Sequence, residues 1–222
     1  MRAWETLDAV ETAEGRMELR RRGEDYVITV AGRVLMSSMA HLTEVAVAEI
    51  ACGEVAGRES PRVLIGGLGM GFTLRAALDA LPRTGRVVVA EINEAVVRWC
   101  RGPLAPLTDR ATMDFRSKIV LEDVAKVIAG AGKQPFDAII LDLYEGPRRA
   151  TQGREDPFYG PMALERTRKA LTPGGILAVW SEEPDAAFEK RLRTGGFKVE
   201  RCKPGKGGPR HSVYLARPHK VR

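Results

Sequence analysis

Cysteines, aromatic side chains and long hydrophobic runs are all scarce in this chain of 222 residues. Its three cysteines, Cys52, Cys100 and Cys202, lie far apart and form no CxxC pair, so we expect neither a disulfide framework nor a metal site. No run reaches the roughly eighteen apolar residues that cross a membrane, and we therefore expect no membrane span. The initial stretch MRAWETLDAVETAEGR lacks the apolar centre of a signal peptide, which favours a cytoplasmic protein.

The composition suits one domain with a small appendage. Hydrophobic residues make up 44% of the chain and aromatic residues only 6%, so the predicted core is large and mostly aliphatic. The net charge of +6 would permit an acidic partner such as RNA. The basic residues, however, gather in short runs without interleaved aromatic residues, so nucleic acid is not the expected partner. These runs are Arg20–Arg22, Arg148–Arg149, KPGKGGPRH and RPHKVR.

Strand and helix signals divide the chain into two parts. Residues 1–60 are predicted to form a β-hairpin appendage with one helix, HLTEVAVAEIA. Residues 61–222 alternate between strand and helix patterns, which predicts an α/β domain with a parallel sheet covered on both faces. The last two strands have no helix between them, so we expect the final strand to be antiparallel. Seven strands in this arrangement are the layout of the Rossmann-like class I methyltransferase fold.

The stretch RVLIGGLGMGF, residues 62–72, places four glycines directly after a buried strand. A dinucleotide fingerprint needs a third glycine where Phe72 stands, and a phosphate-binding loop needs a lysine that is missing here. The spacing Gly67-x-Gly69-x-Gly71 matches the turns that hold a sulfonium nucleoside against bare backbone. We therefore predict that this turn, with Met70 inside it, binds S-adenosylmethionine or its decarboxylated form.

Acidic residues follow the next two strands. Glu91, with Ile92 after it, ends the strand VVVA and is placed to accept hydrogen bonds from both ribose hydroxyls. Asp123, with Val124 after it, follows the third strand. Its carboxylate is equally suited to accept from the adenine amine or to cap the next helix, and both interpretations stay open.

The fourth strand ends in the acidic segment LDLYEGP, residues 141–147. Its two carboxylates, Asp142 and Glu145, would attract a cationic amine and can accept its proton during attack. We predict Asp142 as the base and as a donor contact, with Glu145 or Tyr144 in support. The polar segment Arg148–Pro157 reads as a lid over the site.

These motifs together resemble the spermidine synthase family, the polyamine aminopropyltransferases. The resemblance runs over Arg62–Ala216 through VLIGG-x-G-x-G, AEIN, LEDV, FDAIILD-x-x-x-GP and TPGGILAVW. It implies a methyltransferase-like domain behind a small β domain, a homodimer, and aminopropyl transfer from decarboxylated S-adenosylmethionine to an amine. It also implies site roles for Gly67, Gly69, Gly71, Glu91, Asp123, Asp142 and Glu145.

The chain departs from the family pattern around the amine. Met70 replaces an aspartate of the family's turn, Leu35 falls at a glutamine position, and only Glu44 survives of a Tyr-His-Glu triplet. Acids near the donor's tail favour the decarboxylated form and repel the carboxylate of ordinary S-adenosylmethionine. Replacing one acid by Met70 would relax that preference.

We therefore expect methyl transfer to an amine or hydroxyl of a small molecule. Aminopropyl transfer to make a polyamine is the main alternative. A nucleic-acid methyltransferase and a non-catalytic binding protein are further alternatives, and the absence of an Asn/Asp-Pro-Pro-aromatic motif after the fourth strand counts against the former.

Overall fold

The N-terminal part of the computed structural model is an antiparallel sheet followed by a helix. The structure describes residues 3–132, 134–143, 146–147, 153, 155–203 and 211–219. The four strands pair in chain order, β1 to β4. They are β1 Glu5–Thr12, β2 Gly15–Arg22, β3 Asp25–Val30 and β4 Arg33–Ser37, and helix α1 is Leu42–Gly53.

The first of these strands was not predicted. Strand β1 has the sequence ETLDAVET, which is rich in acids and poor in β-branched apolar residues, and none of its residues is buried. It lies at an edge of the small sheet and pairs only with β2 among the described strands. Its conformation therefore depends on backbone pairing with β2, a long-range effect that a local pattern does not show.

The remaining strands form one sheet with seven members. Its order is β10-β11-β9-β8-β5-β6-β7, and β11 runs antiparallel to both of its neighbours. The strands are β5 Arg62–Gly66, β6 Arg86–Glu91, β7 Ser117–Leu121, β8 Phe136–Leu141, β9 Leu171–Ser181, β10 Phe197–Cys202 and β11 Ser212–Pro218. This is the predicted class I methyltransferase layout, with its antiparallel last strand.

Helices cover both faces of the large sheet. They are α2 Phe72–Ala80, α3 Glu94–Arg101, α4 Val124–Ala129, α5 Pro161–Lys169 and α6 Ala186–Thr194, with short 3-10 turns at Ala105–Thr108 and Ala111–Met113. Two apolar clusters result, one on each face of the sheet. Within the part of the chain that the structure describes, no helix has the length and apolar character needed to cross a bilayer.

The two predicted parts share one of these clusters. Met17 and Leu19 of β2 and Val47 of α1 are buried together with Val63 of β5 and Ile140 of β8. The boundary at residue 60 stays a prediction, but the apolar packing is continuous across it.

Two boundaries differ from the sequence prediction. The segment TPGGILAVW predicts a turn over Thr172–Gly175 and a strand from Ile176, but strand β9 begins five residues earlier, at Leu171, and includes the predicted turn in an irregular stretch. Helix α5 begins at Pro161 instead of Tyr159, because Asp156 accepts the backbone N–H groups of Phe158 and Tyr159 in a preceding turn.

The order of the large sheet creates a crevice at one edge. Strand β5 is paired with β6 on one side and with β8 on the other. The strand order therefore reverses its direction across the sheet at β5. In such open sheets a ligand binds outside the carboxyl ends of the strands at this reversal. The glycine turn and the acids of β6 and β8 all lie at that edge.

Candidate active site

The glycine turn after β5 uses backbone conformations that favour glycine. Gly67, Gly69 and Gly71 have φ values of 89°, 54° and 89°, all in the left-handed region. A Cβ atom on Gly67 would lie 2.7 Å from the carbonyl oxygen of Asp142. The bare backbone thus lets the ends of β5 and β8 approach each other, which brings the turn beside the acid of β8.

Two methionines lie near this turn, in different environments. The Met70 side chain is 1% exposed and belongs to the apolar core, so it packs inside the protein and does not face the open edge. The contact of Met70 with the donor stays a prediction. The side chain of Met36 in β4 instead covers Gly69 so closely that a Cβ atom there would overlap its methyl group.

Glu91 is held firmly at the end of β6. Its carboxylate accepts the backbone N–H of Leu68 in the glycine turn at 2.9 Å and that of Asn93 at 2.8 Å. The residue is buried, so it is not an exposed acid at the start of the following helix. Each oxygen keeps a second lone pair, so the predicted contact with ribose hydroxyls is compatible with this arrangement and stays a prediction.

Asp123 caps helix α4. Its side chain accepts the backbone N–H of Ala125 at 2.8 Å, as one of the two interpretations predicted. The contact with adenine stays a prediction. Of the two predicted apolar neighbours, Ile92 is 76% exposed at the end of β6, whereas Val124 is buried against Gly66.

Asp142 ends β8 with a partly buried carboxyl group. The Thr73 hydroxyl, in the first turn of α2, donates a short hydrogen bond to it. Burial raises the pKa of Asp142 to about 6, although the Thr73 hydrogen bond acts in the opposite direction. Near neutral pH this group is therefore a stronger base than an ordinary aspartate.

A second carboxyl group, Glu44, approaches Asp142 from the N-terminal part of the chain. Glu44 lies in the first turn of α1, and one of its oxygens is buried without a hydrogen-bond partner among the described residues. Burial raises its pKa to about 7, and the nearby charge of Asp142 acts in the same direction. The fold thus brings together two acids that lie almost one hundred positions apart, and it leaves them poorly solvated.

Tyr159 is a candidate that the sequence analysis did not assign. It lies just before α5 and is 2% exposed, and its hydroxyl has no hydrogen-bond partner among the described residues. Burial raises its pKa, and the charges of Asp156 and Asp142 add to the effect. An aromatic residue before a helix is usually a packing contact. Only its position near Asp142 in the folded structure therefore indicates that Tyr159 could belong to the site.

Other predicted residues have a structural explanation or lie outside the described chain. His41 stacks on Phe72, with 4.0 Å between ring centroids, and its Nδ1 contacts the Ser38 carbonyl oxygen. Tyr144 and Glu145 lie outside the described residues, as does most of the predicted lid, 148–157. Their predicted contributions therefore stay predictions. Within the described ranges, no group of three or more His, Cys, Asp and Glu side chains is arranged to hold a metal ion.

Comparison with known proteins supports the resemblance to a spermidine synthase-like family. The polyamine aminopropyltransferase of Clostridium tetani is 32% identical over 123 residues, 55% of this chain and 41% of that protein. Putrescine N-methyltransferase 2 of Nicotiana tabacum is 34% identical over 121 residues, 54% of this chain and 32% of that protein. This chain thus spans less than half the length of either relative. No protein-family profile matches it.

Solved structures support the fold. A spermidine synthase in complex with the transition-state analogue AdoDATO superposes with a TM-score of 0.73 at 18% identity, over 96% of this chain and 74% of the other. Human methyltransferase-like protein 13 in complex with SAH superposes with a TM-score of 0.60 at 19% identity, over 81% of this chain and 82% of the other. The chain therefore has the class I methyltransferase-like fold.

Proposed function

We propose that this protein transfers a group from a donor of the S-adenosylmethionine type to the amine of a small molecule. The observation that carries the proposal is the pair of poorly solvated acids, Glu44 and Asp142, beside the glycine turn. Such a pair attracts a cation and can remove a proton from it. A transferase acting on an amine needs both properties at the place where the donor's sulfonium lies.

The donor site fits a sulfonium nucleoside on two observations. Gly67 and Gly69 carry no side chain, although Met36 packs over Gly69, and the Glu91 carboxylate is fixed beside the turn by two backbone N–H groups. When bound, the donor supplies a carbon that is activated by the adjacent positive sulfur. Gly67, Gly69 and Glu91 would hold the nucleoside part of the donor.

The acids act on the acceptor. A primary amine resembles the lysine side chain, whose pKa is about 10.4, so it arrives protonated and cannot attack. Asp142, in its ionised form, accepts one proton from the ammonium and Glu44 keeps the amine in place. The free nitrogen lone pair then forms a bond to the donor carbon as the carbon–sulfur bond breaks and its electron pair stays on sulfur. Orientation of the two reactants supplies much of the remaining rate.

Methyl transfer is the form of the reaction that we propose first. Among the described side chains at the turn, Met36 and Leu68 are apolar and Met70 is buried. None of the residues of the turn itself, Gly66–Gly71, is acidic, so the turn contributes no charge that would select the cationic tail of the decarboxylated donor. Aminopropyl transfer is the second candidate, favoured by the similarity to the aminopropyltransferase of Clostridium tetani.

A donor and acceptor assay tests the proposal. The protein is incubated with either donor and a panel of small amines, and the products are identified by mass spectrometry. We expect a methylated amine with S-adenosylmethionine and at least a 100-fold lower rate for Asp142→Asn, the loss typical of a general base. Asp109→Asn, at an exposed position, is the matched control and should retain the wild-type rate.

Two outcomes would contradict the proposal. Equal rates for Asp142→Asn and the wild type would exclude the assigned base. No product with either donor and any amine would exclude the transferase function. Product from the decarboxylated donor alone would select the second candidate. The homodimer and the cytoplasmic location stay predictions.

A further inference from the structure

Trp180 lies next to the proposed base at the edge of the sheet. Leu141 of β8 pairs with Val179 of β9 in parallel register, and both side chains belong to the same apolar cluster. Side chains alternate between the two faces of a strand, so the next residues, Asp142 and Trp180, lie side by side on the opposite face. Helix α1, which carries Glu44, packs on β8 and β9.

The polar atom of Trp180 is buried and unused. Its indole Nε1 has no hydrogen-bond partner among the described residues, and the same holds for Nδ1 of the neighbouring His211. The two rings meet edge to face, with 5.3 Å between centroids and 69° between planes. Buried polar atoms usually have a partner, and a bound ligand is one way to provide it.

The loop after β8 returns to this place. Gly146 has a φ of 56°, and a Cβ atom on it would lie 2.9 Å from the carbonyl oxygen of Trp180. Its backbone N–H also bonds to the carbonyl of Leu143 at 3.0 Å. The chain therefore passes close to the end of β9, at the same edge of the sheet as Asp142.

The chemistry of the indole group limits what it can bind. An indole N–H only donates, and an ammonium group also only donates. The far end of a diamine is an ammonium, so it cannot satisfy Trp180. A carboxylate could accept the bond, but Asp142 and Glu44 would repel it. A neutral oxygen remains, and a hydroxyl is the simplest group that provides one.

We propose that the acceptor is an amino alcohol, whose amine faces Glu44 and Asp142 and whose hydroxyl oxygen accepts a hydrogen bond from Trp180 Nε1. This inference rests on the proposed function and adds the substrate class. His211 forms the wall beside the same hydroxyl. Trp180 is thus a specificity-determining residue that favours the hydroxyl over a second ammonium.

Substrate competition tests the specificity. Transfer to 4-aminobutan-1-ol is compared with transfer to putrescine, a diamine of equal chain length. We expect a higher kcat/KM for the amino alcohol and a roughly tenfold loss of that preference in Trp180→Phe, which keeps the ring and removes the donor. Trp4→Phe, in the N-terminal part, is the matched control and should keep the preference.

A binding measurement separates this inference from the proposed function. The chain has three tryptophans, each with one indole N–H resonance in a nitrogen-labelled sample. Added 4-aminobutan-1-ol should shift the Trp180 resonance, while that of Trp99 stays in place because its N–H already donates to Asp8 at 2.7 Å.

The outcomes distinguish a failure of the amino alcohol inference from a failure of the proposed transferase function. A shifted Trp180 resonance without turnover would support the binding site and contradict the transferase function. Turnover with equal preference in the wild type and Trp180→Phe, and no selective shift, would overturn the inference and leave the function in place. A higher kcat/KM for putrescine would overturn the inference as well.

Discussion

At the residue scale, the proposed chemistry depends on two carboxyl groups that are held where their charge is unfavourable. Asp142 and Glu44 are each partly buried, the charge of Asp142 acts on Glu44, and both pKa values lie well above the ordinary carboxyl range. A group poised close to neutral pH can exchange a proton at little cost in free energy. The same feature must lower the stability of the folded protein once both acids are ionised.

The pH dependence of stability gives a first prediction. The pKa of Glu44 is raised from 4.5 to about 7 on folding, so between these pH values the folded state binds more protons than the unfolded state. Stability from this group is therefore present below about pH 4.5 and is lost as pH rises towards 7. We expect Glu44→Gln to be more stable than the wild type at pH 8, by on the order of 2 kcal/mol, and not at pH 4.

Urea unfolding at both pH values measures this difference. Glu49→Gln, an exposed position on the same helix, should show no such pH-dependent gain. A constant difference between Glu44→Gln and the wild type across this range would contradict the raised pKa.

A second prediction concerns the glycine turn. Gly67 and Gly32 both have a left-handed φ, but of the two only Gly67 has backbone, the Asp142 carbonyl, within 4 Å of the place that a Cβ atom would take. Alanine at Gly32 should cost about 1 kcal/mol from backbone strain alone. Alanine at Gly67 should cost several-fold more, since β5 and β8 must separate, and it should weaken donor binding. Chemical denaturation and calorimetric titration with S-adenosylmethionine measure the two effects, and equal losses at both sites would contradict the close approach.

At the element scale, the N-terminal caps of two helices lie at the edge of the sheet where the donor is predicted to bind. Helix α4 has only six residues and depends on the Asp123 cap. Helix α3 depends in the same way on Asn93, whose side chain accepts the backbone N–H of Ala95 at 3.0 Å. Short helices are marginal alone, so each cap should contribute about 1 kcal/mol. The two caps lie after neighbouring parallel strands, which makes them a matched pair.

This pair yields a third prediction. Alanine at Asp123 and alanine at Asn93 should lower the free energy of unfolding by similar amounts. If Asp123 also accepts from adenine, its variant alone loses donor affinity, by about tenfold for one hydrogen bond. Thermal unfolding of both variants measures the loss of stability, and titration with the donor measures the loss of affinity. Equal donor affinity in the two variants would leave Asp123 as a cap only.

Elements with strong local patterns could be predicted, and those that depend on distant partners could not. The strand before the glycine turn and the strand FDAIIL, residues 136–141, are mostly apolar, with Asp137 as the polar residue of the second, and β5 and β8 formed as expected. Strand β1 has no such run and forms through pairing with β2. In the site, Asp142 followed from its place after β8, whereas Tyr159 shows no local signal because its importance lies in an unpaired, buried hydroxyl.

At the scale of the whole molecule, the N-terminal part contributes residues to the proposed site. Helix α1 supplies Glu44 and β4 supplies Met36, while the large sheet supplies Asp142 and the glycine turn. Neither part alone contains both acids. Apolar residues from β2 to β11 belong to one cluster, so the two parts share a core instead of meeting at a polar interface.

The shared core gives a fourth prediction. The protein should unfold in one cooperative transition, with the same midpoint by circular dichroism and by tryptophan fluorescence. Val47→Ala, which removes a fully buried side chain between the two parts, should lower this midpoint without splitting the transition. Two separate midpoints would show that the N-terminal part is an independent unit.

The position of β11 bears on how the protein is made. Strand β10 pairs with β11 alone among the described strands, and β11 is synthesised after it but lies between β10 and β9. During translation the nascent chain therefore exposes one open edge on β9 and leaves β10 without a partner. Such unpaired edges invite association with other chains. These edges become paired only after β11 has been synthesised. A translational pause just before Ser212 would therefore prolong the period in which the unpaired strands need protection by chaperones.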